Sequence, residues 1–204
     1  MGDASMAFFY SEMRRETMYE VIWHGRGGQG VVIAAQILAE SAYLQGFRGV
    51  TSAPTFGPER RGAPLTASTK ISREPIRTFA QIERADVAIV LDPSLLAVVN
   101  IVGSIKEGGL IIINTTREPA AIGISNGLNV ATIDAVSIAM KHHLIKEGAP
   151  MVNTPLLGAF AAATGIVTLE FLEKGLKWKM SGIKAANNIA ALRAAFEATC
   201  KGVF

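Results

Sequence analysis

Hydrophobic and polar positions along this chain switch repeatedly between two periods. Tyr19-Glu20-Val21-Ile22-Trp23 is rich in β-branched and aromatic residues and runs into a glycine cluster, which predicts a strand. From Val31 to Gln45 the apolar positions Val31, Ala34, Ala35, Leu38 and Ala42 keep helical spacing, and Gly46 marks the stop. Arg48–Thr51 predicts a second strand and Leu65–Ile71 a third. Between them, residues 53–64 read as a loop punctuated by Pro54, Gly57, Pro58, Gly62 and Pro64. Thr78–Arg84 predicts a short helix. Val87-Ala88-Ile89-Val90-Leu91 is wholly apolar, as suits a strand buried on both faces of a parallel sheet. Asp92 and Pro93 suit the N-cap and first position of a helix closed by Gly108-Gly109. Leu110–Ile113 and Leu128–Ile133 are further buried strands, and Asp134 caps a predicted helix over Val136–Lys146.

After residue 150 the pattern is helical throughout. Thr154-Pro155 opens a helix of small apolar residues that stops at Gly165, Leu169–Lys177 is another, and Gly182–Thr199 carries Ala185, Ile189, Leu192 and Phe196 on one face. Strands alternating with helices predict an α/β fold: a doubly wound, mostly parallel sheet with helices on both faces and a helical C-terminal part. Residues 1–17 show no sustained period and are an N-terminal extension, either loose or a short helix that docks on a partner; residues 18–204 form one domain.

Composition narrows the function classes. With 50% hydrophobic and 18% charged residues over 204 positions, the chain is not disordered. Its net charge of +3 is too mild to argue for nucleic acid or an acidic membrane, and no run reaches the roughly 18 apolar residues of a membrane span. One cysteine, Cys200, excludes an internal disulfide, a multi-thiolate zinc site and an iron–sulfur cluster with the usual four thiolates. A reduced, cytoplasmic setting is expected.

The first candidate site is Gly25-Arg26-Gly27-Gly28-Gln29-Gly30, which fits G-x-G-x-x-G between a predicted strand and a predicted helix. Glycines allow a tight turn and close approach to a ligand, and free amides at a helix N-terminus favour a phosphate. Either the loop binds a phosphate group or its glycines only permit the crossing. A nicotinamide dinucleotide also wants an acid about 20 residues on to hold its ribose. None occurs between Ser41 and Gly57, and the Gly-Lys-Ser/Thr ending of a P-loop is absent. The second candidate is Thr55-Phe56-Gly57-Pro58-Glu59-Arg60-Arg61-Gly62-Ala63-Pro64, where adjacent arginines sit in a Gly/Pro frame. Arginine forks suit phosphates and carboxylates, although a solvated turn is the other reading.

These two loops, in this order and separation, resemble the gamma subunits of 2-oxoacid:ferredoxin oxidoreductases over roughly residues 19–200. Many members carry Tyr at Phe56, another residue at Arg60 and Gly at Ala63; the form present here resembles the pyruvate-specific branch. The resemblance implies a multi-subunit oxidoreductase that converts pyruvate, CoA and oxidised ferredoxin to acetyl-CoA, carbon dioxide and reduced ferredoxin. Its thiamine diphosphate and [4Fe-4S] clusters lie on other subunits of alpha, beta and delta type. It implies CoA as the ligand of the glycine loop, with amides of Gly27, Gly28, Gln29 and Gly30 on its phosphate oxygens and Arg26, or Arg60 and Arg61, neutralising the remaining charge. The other contacts expected in this site are Gly25, Phe56, Gly57, Pro58 and Glu59. No catalytic residue and no metal ligand is assigned to the chain. A gamma subunit for 2-oxoglutarate, branched-chain or indolepyruvate substrates, an independent Rossmann-type nucleotide binder and a purely structural subunit remain as alternatives.

A few other residues matter. Asn114, ahead of Thr115 and Thr116 at the end of a buried strand, either lines the same crevice or makes a turn. His142 and His143 read as helix C-terminal partners, Cys200 as inert and Asp92 as a cap. Phe47, Phe56 and Trp178 are either interface anchors or core residues.

Overall fold

The structure is a computed structural model that describes residues 18–54, 62–77, 80–124 and 127–203. Seven of its strands share one sheet: β1 (Met18–Arg26), β2 (Gly49–Pro54), β3 (Pro64–Ser72), β4 (Ala85–Val90), β5 (Ile105–Asn114), β6 (Asn129–Ile133) and β9 (Cys200–Val203). Their spatial order is β2-β3-β1-β4-β5-β6-β9. β1, β4, β5 and β6 pair in parallel, while β3 runs antiparallel to both β1 and β2, and β9 antiparallel to β6. The mostly parallel, doubly wound reading is borne out, with two antiparallel strands that the sequence pattern did not distinguish. A separate small hairpin pairs β7 (Ile145–Lys146) with β8 (Ala149–Pro150).

Helical elements cover the two sheet faces unequally. α1 (Val31–Leu44), α2 (Ala135–Lys141), α3 (Asn153–Thr164), α4 (Leu169–Lys179) and α5 (Gly182–Ala198) gather on one face. There Val21 and Trp23 of β1, Val87 and Ile89 of β4 and Leu110 and Ile112 of β5 meet Leu38 of α1 and Phe160 of α3. Each such buried side chain contributes about 1.5–3 kcal/mol of transfer free energy. The Trp23 indole N–H donates to Thr69 Oγ1 at 3.2 Å, and that hydroxyl donates to the Ala35 carbonyl at 3.1 Å, so β1, β3 and α1 share one buried chain of hydrogen bonds. On the opposite face, three short 3₁₀ turns bring Leu95, Ile101 and Ile122 against Val90, Ile111, Ile113 and Val130.

Four expectations need correction. The helix expected from Pro93 to Gly108 is two 3₁₀ turns, Pro93–Ala97 and Val102–Ser104, running into a longer β5. The intervening Val98, Val99 and Ile101 are β-branched and lose rotamer freedom in a helix. No helix forms over described residues 80–84. The helix expected to reach Lys146 ends at Lys141, where the chain turns into the β7–β8 hairpin. Its two loop residues, Glu147 and Gly148, both have positive φ, the type I′ requirement. The C-terminal part is also not wholly helical, since β9 closes one sheet edge against β6.

α3 is buried along its whole length, which demands close neighbours. At Gly158 a Cβ would stand 2.2 Å from the Leu192 carbonyl oxygen of α5. Gly158→Ala gains up to about 1 kcal/mol in helix propensity, but pushing two backbones apart costs about 1–3 kcal/mol. The expected net result is a lower urea midpoint with an unchanged slope; an unchanged or raised midpoint shows that α3 and α5 can part at no cost.

Candidate ligand-binding site

The glycine loop lies at the carboxyl end of β1, where the sheet order reverses between β1 and β4. In open α/β sheets this switch point is where ligands bind. Gly25 is required by packing. A Cβ there would stand 2.5 Å from Val31 Cγ2 and 3.2 Å from Leu91 Cβ. Gly28 and Gly30 are required by backbone shape, with φ of 98° and 81° in the left-handed region. Gly30 is also the N-cap of α1, which has no side-chain cap and no acid in its first turn.

Two of the four loop amides expected at phosphate oxygens are already committed. Gly27 N–H donates to the Ala63 carbonyl at 3.0 Å, and Gln29 N–H to the Arg26 carbonyl at 3.1 Å. The Gln29 side chain folds back, its Oε1 accepting from Arg26 N–H at 2.7 Å. The amides of Gly28, Gly30 and the first α1 residues donate to no described residue.

The structure brings the two sequence motifs together. Gly62 N–H donates to the Gly27 carbonyl at 3.2 Å, so the second loop ends on the first. Phe56, Gly57, Pro58, Glu59, Arg60 and Arg61 themselves lie outside the described residues. Arg26 links the same elements through its guanidinium. Nε donates to Asp92 Oδ2 at 2.6 Å, Nη1 to the Gly62 carbonyl at 3.0 Å and Nη2 to Ser94 Oγ at 2.8 Å. Asp92 is the expected cap, its Oδ1 accepting from Ser94 N–H at 3.0 Å. Burial raises the Asp92 carboxyl, but hydrogen bonds from Ser94 and Arg26 and the guanidinium charge outweigh burial and hold it below its ordinary value.

Asn114 is buried and engaged at both ends. Its Nδ2 donates to the Leu91 carbonyl at 2.9 Å and its Oδ1 accepts from Ala135 N–H at 3.1 Å, tying β4 to β5 and α2. Thr115 and Thr116 line a cavity of about 230 Å³ with Thr132, Asp134, Ser137 and Cys200; no glycine-loop residue lines it. Burial and the neighbouring Glu118 carboxylate raise the Cys200 thiol, which keeps it protonated, as an inert cysteine should be. His142 is the α2 C-cap and His143 follows it with φ of 56°. Among the described residues no three His, Cys, Asp or Glu side chains cluster as metal ligands, and no helix is long and apolar enough to cross a membrane.

One residue at the site was not anticipated from the sequence. Asn153, the first residue of α3, is 6% exposed and places its Nδ2 2.8 Å from where a Gly30 Cβ would stand. Its only sequence signal is its place just ahead of Thr154-Pro155 at a helix start.

Sheet order and glycine turn together define a doubly wound α/β domain with the glycine turn at its β1/β4 switch point. A family model for pyruvate ferredoxin/flavodoxin oxidoreductase matches residues 20–198. The Thermococcus litoralis common subunit gamma of pyruvate/ketoisovalerate oxidoreductases is 47% identical over 185 residues, spanning 89% of this chain and 97% of that one. The crystal structure of a Thermotoga maritima pyruvate oxidoreductase subunit superposes with a TM-score of 0.78 at 33% identity, covering 91% of this chain and 99% of that one. The chain belongs to the pyruvate ferredoxin/flavodoxin oxidoreductase family, as a gamma subunit of such an oxidoreductase. A 2-oxoglutarate:ferredoxin oxidoreductase from Magnetococcus marinus, solved with coenzyme A, shares the fold at 19% identity and a TM-score of 0.73. It covers 90% of this chain and 32% of that one.

His24, just ahead of the loop, is 5% exposed, and its Nε2 has no hydrogen-bond partner. Burial pulls its pKa from the ordinary 6.5 down to about 4. The unfolded chain therefore binds a proton that the folded chain does not, and stability falls as pH drops from 6.5 toward 4. The loss is about 3 kcal/mol at the lower end. His24→Gln should lack that part of the loss when urea unfolding at pH 7 and pH 4 is compared with the parent chain; equal losses would show that His24 is not its source.

Proposed function

We propose that this chain helps bind and position CoA in the oxidative decarboxylation of pyruvate to acetyl-CoA, with the electrons passing to ferredoxin. The observation that carries the reading is the uncapped glycine turn at the switch point, with the double-arginine loop ending on it. Amides of Gly28, Gly30 and the first turn of α1 face a CoA phosphate group, as helix N-termini favour anions. Arg26, paired with Asp92, holds the loop in shape, and Arg60 and Arg61 neutralise phosphate charge. Gly25, Gly27 and Gln29 keep the turn in form, and Phe56, Gly57, Pro58 and Glu59 are the further CoA contacts in this reading. Asn114 supports the strand ends below.

The chain acts by orientation. Holding CoA directs its thiol toward the reaction centre on a neighbouring subunit, and proximity of this kind needs no acid or base from the gamma subunit. Thiamine diphosphate and the [4Fe-4S] clusters sit on partners of alpha, beta and delta type in a cytoplasmic complex. The lone cysteine of this chain agrees with that division. The coenzyme A bound in the Magnetococcus marinus complex supports the choice of ligand. A partner contact is supported by Trp178, 78% exposed beside Tyr43 and Leu44 on a cavity of about 350 Å³, whereas Phe47 is buried in the core.

Substrate choice has a second reading. The Thermococcus litoralis relative is named as common to pyruvate and ketoisovalerate enzymes, so a gamma subunit of this type also serves another 2-oxoacid. An independent nicotinamide enzyme is disfavoured, because β3 stands between β1 and β2 where the ribose-binding acid would project.

In the assembled oxidoreductase, CoA at ten times its Kd should slow amide hydrogen exchange across residues 25–33 by roughly tenfold. Pyruvate alone should leave those amides unchanged. Exchange indifferent to CoA overturns the reading and favours a purely structural loop.

A further inference from the structure

We infer that the groove beneath Trp178 is a docking site for this chain's own N-terminal segment, seated through the rings of Phe8, Phe9 and Tyr10. The inference does not rest on the CoA reading, and no residue of the glycine loop takes part in it.

The groove is an apolar cavity of about 350 Å³. It is walled by Ala39, Tyr43 and Leu44 of α1, Val50 of β2 and Trp178 of α4, with Glu40 as its one charged lining residue. Tyr43 and Trp178 are 69% and 78% exposed. Large apolar side chains gathered at one place on a surface mark a contact waiting for its partner. β2 is an edge strand bonded to β3 alone, so no further strand closes that side. Glu40 adds a second sign. Its Oε1 accepts from Lys179 Nζ at 2.6 Å, whereas its Oε2 is buried with no hydrogen-bond partner among the described residues. A buried open acceptor is costly until a donor meets it.

Reach decides the occupant. Residues 1–17 lie outside the described residues and precede the family match, which begins at residue 20. Most of them are polar, charged or small, but Phe8-Phe9-Tyr10 puts three aromatic rings in a row. The chain enters the sheet at Met18, close to the groove. Tyr19 pairs with Ile71 and Ile71 with Val50, so at about 4.8 Å per strand the groove begins roughly 10 Å from Tyr19. Tyr19 and Val50 both pack into the core that α1 covers, so no crossing of the sheet is needed. From Tyr10 to Met18 an extended chain spans up to about 26 Å, which reaches the groove with length to spare. A tether this short holds the rings at an effective concentration on the order of 1 mM, which a second copy in dilute solution does not match. Phe8 and Phe9 pack between Tyr43 and Trp178, and the Tyr10 hydroxyl donates to Glu40 Oε2. The partner contact at Trp178 then meets the filled groove, with this segment as part of its surface.

The test compares the full chain with a chain beginning at Met18 and with the double variant Phe8→Ser, Phe9→Ser, each alone and in the assembled oxidoreductase. Removing residues 1–17 spares the whole family match, and Trp23, fully buried in the core, reports that the fold is intact. With the segment at about ten times its Kd for the groove, amides of residues 40–44 should exchange about tenfold faster in either variant than in the full chain. Trp178 emission should shift to the red in both variants as its ring loses its cover. Neither change should depend on protein concentration, since the contact lies within one chain. Equal exchange and emission in all three chains overturns the inference. So does protection that grows with concentration, which marks a second copy. Protection that appears only on assembly and survives removal of residues 1–17 marks a partner subunit in the groove and overturns it as well.

Discussion

Three strand ends meet at the guanidinium of Arg26. The residue closes β1, its Nη1 holds the Gly62 carbonyl just ahead of β3, and its Nε and Nη2 hold Asp92 and Ser94 just after β4. As an ion pair it is half-exposed and worth only about 0.2–1 kcal/mol, so its importance is positional. With it in place, Gly27 and Gly62 exchange backbone bonds with the adjoining loop, and the Gly28–Gly30 turn is aimed at the start of α1. The site is therefore an outcome of how the sheet ends are tied, and the helix dipole acts on a backbone already fixed in direction.

Below that knot, a second tie runs through side-chain amides and backbone. Leu91 N–H donates to the His24 carbonyl at 2.8 Å, and Asn114 spans from Leu91 to Ala135. The carboxyl ends of β1, β4 and β5 are thus linked in sequence, through His24 near the end of β1, Leu91 just after β4 and Asn114 at the end of β5. A site built on strand ends keeps its geometry better than one built on loops alone.

Much of this was legible in the sequence, for local reasons. The buried strands Val87–Leu91 and Leu110–Ile113, the helix stop at Gly165 and the glycine turn between strand and helix all declare themselves within a few residues. What escaped depends on distant partners. Period-two alternation in Leu65–Ile71 marks a strand but is silent on its direction, so the antiparallel placement of β3 beside β1 was invisible. Arg26 beside glycines reads as a phosphate ligand until Asp92, 66 residues away, is found on it. Asn153 attracts no notice in the sequence, and its place beside Gly30, at another helix's N-terminus, appears only in the fold. The 3₁₀ turns after Asp92 were missed for a different reason. The Asp-Pro start signal was read correctly, but the β-branched residues that follow do not sustain a helix.

The antiparallel β3 sets this sheet apart from a dinucleotide-binding one. In a dinucleotide-binding sheet the strand after the first helix lies against β1, and its terminal acid reaches the ribose. Here that neighbour is β3, and β2 is one strand further out, ending at Pro54. The missing acid and the displaced strand are two expressions of one arrangement, because no residue at the end of β2 stands beside the glycine turn to do that work. The residues just ahead of β3, Gly62 and Ala63, instead bond directly to the turn at Gly27. A ribose clamp of the dinucleotide-binding kind therefore has no place beside this turn.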